Sequence, residues 1–186
     1  VDNLHPVANY IYGLSLNDSD KDGMSYIRNA ANMGVPEAQF TVATSFLETD
    51  PSQAYHWALN ASKNKEVNGL ALAGALSIEG IGCEKDVTRG MEFLEEAAMY
   101  GNTDALKRLV AEYYLGENIE PDIEKAYLYA KMIDDDSFRQ IEEKCKENLS
   151  HDKLQSLEIK YAEMSALSII KSARSEEHTS ELQSRL

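Results

Sequence analysis

Apolar and small residues recur along this chain three or four positions apart, the spacing of helices, and no stretch alternates apolar with polar as a half-buried strand would. Two series within that pattern keep step. Ala30-Ala31-Asn32-Met33-Gly34, followed by Ala38, returns 67 residues later as Ala97-Ala98-Met99-Tyr100-Gly101, followed by Ala105. A weaker copy lies between them at Ala61-Ser62, with Gly69 in the place of Ala38. Gly23, Ala54, Gly90 and Ala126 form the second series, in steps of 31, 36 and 36 residues, and each is followed three residues later by an aromatic: Tyr26, Trp57, Phe93 and Tyr129. Gly80 with Gly116, and Asp86 with Asp122, repeat the 36-residue step in loops. Such periods are those of helical-hairpin arrays.

The residue types fit that architecture. Small residues at fixed helical positions let a neighbouring helix approach, and an aromatic one turn on fills the space between successive hairpins. Gly34 and Gly101 stand where a helix would end on a left-handed residue. Asp50-Pro51, Asp86 and Glu120-Pro121-Asp122 mark the starts of second helices, since proline suits a first turn and carboxylates suit the positive helix end. The prediction is an all-α, right-handed α-solenoid of antiparallel helix pairs, with about four repeats over residues 7–133. Phe138, Ile141, Cys145 and Leu149 share one helix face, as do Leu154, Leu157, Tyr161 and Met164, so residues 137–173 are expected to form closing helices.

From Arg174 the chain reads Arg-Ser-Glu-Glu-His-Thr-Ser-Glu-Leu-Gln-Ser, which resembles the in-frame translation of a sequencing adapter. Residues 174–186 are therefore set apart from the fold as an artefact tail. The chain opens in mid-pattern at Val1 without an initiator Met, so an upstream segment is expected.

The run from Ala73 through Gly80 and Gly82, then Asp86, then Gly90-Met-Glu-Phe-Leu-Glu-Glu-Ala-Ala-Met-Tyr-Gly101 to Ala105, resembles one full unit of the Sel1-like repeat family, relatives of the tetratricopeptide repeats. Leu109 to Ile133 is similar, keeping Tyr113, Gly116, Asp122, Lys125-Ala126-Tyr127 and Tyr129-Ala130 but lacking the terminal glycine. The first two units have shorter loops and stand nearer to plain tetratricopeptide hairpins.

Composition narrows the partners. With 32 acidic and 18 basic side chains the formal charge is −14, a surface that repels phosphate backbones and anionic lipid headgroups. No apolar run approaches the roughly 20 residues of a membrane span, so a soluble monomer, cytoplasmic or exported, is expected. Cys83 and Cys145 show no disulfide or zinc-ligand spacing.

Asp18-Ser-Asp20-Lys-Asp22-Gly23 reproduces the first half of a calcium-binding EF-hand loop. The twelfth position, where a bidentate Glu should close the shell, is Asn29, and the eighth is Ser25. A polar inter-helix loop is the expected reading, with calcium as a weak alternative. Asp134-Asp135-Asp136 reads as a solvated turn. His56 has no framed nucleophile, His5, His151 and His178 are isolated, and no glycine-rich nucleotide loop is present. No cofactor is expected.

The resemblance implies that the first helix of each unit lines a concave groove taking a peptide or protein partner. Asn9, Tyr12, Gln39, Thr44, Arg108, Glu112 and Tyr113 are the candidate contacts on those helices. A non-catalytic scaffold is the expectation, with a calcium module as one alternative. Some secreted members of the resembled family are linked to β-lactam or cell-wall chemistry, which makes hydrolysis the other, but those carry a cysteine pair in each repeat, absent here.

Overall fold

The computed structural model describes residues 5–16 and 21–184. Among them are ten α-helices and no strand. Four hairpins come first: α1 (Pro6–Ser15) with α2 (Lys21–Asn32), α3 (Pro36–Phe46) with α4 (Pro51–Lys63), α5 (Val67–Glu79) with α6 (Val87–Met99), and α7 (Thr103–Leu115) with α8 (Ile123–Lys131). Each hairpin packs on the next through α2 on α3, α4 on α5 and α6 on α7, which makes the chain an α-solenoid. Two further helices follow, α9 (Asp136–Glu147) against α8 and α10 (His151–Ser184), which folds back over α8 and α6.

The local signals operate as their chemistry requires. Asp50, Asp86 and Asp122 each precede a second helix, and their carboxylates accept from the backbone N–H three residues on, those of Gln53, Arg89 and Lys125. The second helices end on the alanine pairs. Ala30, Ala61 and Ala97 are wholly buried. After each pair the chain turns through one left-handed residue, Gly34 (φ 91°), Lys65 (φ 60°) and Gly101 (φ 80°), the second hairpin bearing the cost of a side chain there.

The recurring aromatics join repeats. Trp57 packs against the apolar clusters on both sides of the second hairpin, and Phe93 does the same for the third. A long sheet of small and aromatic contacts results, and no single repeat holds a core of its own.

Beyond the repeats, Asp135 caps α9 by accepting from Ser137 N at 2.8 Å, and Asp134 and Asp136 both pair with Arg139 at the surface. Cys145 and Leu157 are buried within the core shared with the third and fourth hairpins. Helix α10 continues through Arg174 to Ser184 without a break.

Of the half EF-hand, only Lys21, Asp22 and Gly23 fall among the described residues. Asp18 and Asp20 lie outside the described residues, but α2 begins at Lys21, so Asp22, Ser25 and Asn29 belong to a helix.

Candidate functional site

Helices α3, α5 and α7, the first helices of the second to fourth hairpins, present equivalent positions along one face. In the 31- and 36-residue steps of the repeat, Glu37, Asn68 and Asp104 correspond, then Thr41, Leu72 and Arg108, then Thr44, Ala75 and Ala111. Between them runs an open groove of about 280 Å³. Its apolar floor is Phe40, Leu72, Ala71, Ala75 and Leu94, and small side chains keep that floor low.

One end of the groove is polar and pre-arranged. Asn102 Oδ1 caps α7 by accepting from Ala105 N at 2.8 Å, while its amide donates to Asn68 Oδ1 at 3.1 Å. The Asn68 amide donates in turn to Glu66, whose carboxylate caps α5 at Asn68 N and Gly69 N. Burial raises the Glu66 carboxyl above its usual range, against the lowering effect of its backbone bonds, and Glu37 nearby adds to the rise.

The other end carries Arg108. Its guanidinium bonds Glu79 and Glu112 together, with Nε donating to Glu112 Oε1 at 2.9 Å. Glu112 is 1% exposed and also accepts from Asn118 Nδ2 at 3.1 Å and 3.2 Å. A buried carboxylate of this kind is tenable because a cation and an amide satisfy both oxygens.

The seven candidate residues divide. Asn9, Gln39, Glu112 and Tyr113 are buried. They are packing and positioning residues rather than surface contacts: Gln39 donates to Ala31 O, and Tyr113 stacks on Tyr129 while donating to Glu95 at 2.7 Å. Tyr12 is exposed, edge-on to Tyr26, and Thr44 is exposed beside Thr41. Only Arg108 lines the groove.

Gln39, Leu70 and Leu106 occupy one repeat position, and two leucines there mark it as interior. Phe40, Asn68, Leu72 and Ala75 line the groove and are not among the seven.

His56 shares a hydrogen bond with Asn60 on α4. The Cys83 thiol donates to Leu76 O and is pushed up by burial, and the buried Cys145 thiol is pushed up to about 11 by the same cause, so neither is an activated thiolate. Among the described residues no group of His, Cys, Asp and Glu is arranged to hold a metal ion.

No family model matches the chain. Over 92% of its length it superposes on 40% of a protective antigen present in uropathogenic Escherichia coli strains displaying an SLR fold, with a TM-score of 0.74 and 19% identity. A Sel1 repeat protein from Oxalobacter formigenes matches 69% of the chain and 57% of its own length, with a TM-score of 0.62 and 22% identity. In sequence, an uncharacterized protein of Neisseria meningitidis serogroup B is 27% identical over 122 residues, 64% of this chain. The chain spans about a quarter of that relative's length.

Proposed function

From a chain with the Sel1-like repeat fold, we propose a non-catalytic scaffold that binds a peptide or protein segment on the concave face of its helical array. The observation that supports this is the groove across α3, α5 and α7, an apolar floor bordered by fixed polar groups. Tyr12, Thr44 and Arg108 belong to the same reading: Arg108 as a wall of the groove, Thr44 beside its apolar floor, and Tyr12 further along the array. The raised thiols and the isolated histidines support a role without chemistry of its own.

The test is display of a random peptide library on the whole chain. Selected peptides are expected to lose at least tenfold in affinity for Leu72→Arg, which fills the floor with charge, and to keep it for Ile159→Ser on the exposed side of α10. Peptides indifferent to Leu72→Arg would remove the groove from consideration.

A further inference from the structure

Asp104 and Arg108 are the charged residues that line the groove, but the carboxylates bonded to its lining outnumber the cations, and this bears on what can lie in it. Resting on the binding role above, we propose that its occupant is a basic, extended segment: a Lys or Arg over the Glu37–Glu66–Asp104 lip, with an aliphatic neighbour on the floor made by Phe40 and Leu72.

Five carboxylates are connected to the groove. Asp104 lines it, Glu66 holds Asn68 in it, Glu37 lies beside Glu66, and Glu79 and Glu112 meet Arg108. Against them stands one lining cation, and Arg108 is already shared between two carboxylates. The neighbouring cations are engaged elsewhere: Lys65 pairs with Glu96 on α6, Lys85 donates to Asn118, and Lys107 lies toward Asp135 at the start of α9.

The N-termini of α5 and α7 on the lip would otherwise attract an anion, but both are taken. Glu66 caps α5 and Asn102 caps α7 from within the chain. Asp104 is left exposed at the lip, and Glu37, a like charge, adds to the burial that raises the Glu66 carboxyl. A cation placed there relieves that repulsion, and an acidic segment deepens it. The partly exposed Leu72 and Phe40 beside the lip accept an apolar side chain one or two residues along an extended strand.

The experiment extends the display selection. Peptides whose binding to the full chain depends on Leu72 are sequenced and compared with the unselected library. Binding of the strongest is then measured against Glu37→Gln and Asp104→Asn at low and high salt. The expected result is enrichment of Lys or Arg next to an aliphatic residue, affinity about fivefold weaker in each variant, and weakening with salt. Groove-dependent peptides that are neutral or acidic, or that ignore both variants, overturn the basic partner and leave the scaffold reading intact. A selection without any Leu72-dependent peptide overturns both. Circular dichroism of the two variants confirms that folding is unchanged, since both positions are at the surface.

Discussion

Gly74 on α5 and Gly90 on α6 cross backbone to backbone: a methyl group on Gly74 would lie 2.9 Å from the Gly90 carbonyl oxygen, and one on Gly90 would lie 2.8 Å from that of Gly74. Gly13 and Gly23 stand in the same reciprocal relation in the first hairpin, at 2.8 Å and 2.9 Å. The contact sets how closely the two helices of a repeat can pack, and hence where α5 presents Leu72 and Ala75 to the groove.

Gly90→Ala is therefore expected to destabilise the chain by about 1–3 kcal/mol, because its Cβ meets both this carbonyl and Ile78 Cγ1 at 2.5 Å. Thermal unfolding should fall by roughly 4–10 °C. Gly34→Ala is the comparison. No atom stands within 4 Å of its new methyl group, so only the left-handed backbone resists, at a cost of about 1 kcal/mol. Equal losses in the two variants would contradict the close crossing.

Removing Arg108 should expose the dependence of Glu112 on it. Arg108→Met leaves a carboxylate that is 1% exposed with only Asn118 as partner. The expected loss is about 2–3 kcal/mol, below that of a wholly buried pair because the guanidinium is a third exposed. Adding Glu112→Gln should recover part of the loss. A double variant less stable than Arg108→Met would refute the pairing.

The capping aspartates give a repeat-by-repeat probe. Asp86→Ala and Asp122→Ala each remove one acceptor from a second helix, at about 1 kcal/mol apiece. Because a solenoid's hairpins support their neighbours, hydrogen exchange should rise first in α6 or α8 and then in the helices packed on them. Protection lost evenly over the whole chain at once would contradict a linear array.

Thiol chemistry separates the two cysteines. Cys83 is partly exposed and Cys145 buried, so alkylation at neutral pH should reach Cys83 slowly and Cys145 only on unfolding. The buried thiol, raised from 9.0 to about 11, is neutral in both states below about pH 9. Between there and about pH 11 the unfolded chain ionises first, so its stabilising share is lost as pH rises through that window. The stability difference between wild type and Cys145→Ala should shrink from pH 8 to pH 11. A constant difference would show that the thiol titrates alike in both states.

Much of this architecture is written in short-range terms. Ala30, Ala61 and Ala97 close second helices, Asp50, Asp86 and Asp122 open them, and Trp57 and Phe93 fill the joints between hairpins, because capping, close approach and gap filling act within a few residues and recur at a readable period. The sequence by itself determined the repeat and its helical phase. Which side of each first helix faces a neighbour was decided only in three dimensions: Gln39 and Glu112 are polar yet interior, satisfied by partners that no local rule supplies, as when Glu112 meets Arg108 and Asn118 at once. The same holds for α10, whose return over α6 and α8 rests on contacts such as Ser172 Oγ donating to Tyr100 O, 72 residues away. The groove, too, exists only once α3, α5 and α7 lie side by side, since its charge and its floor come from residues that are strangers along the chain.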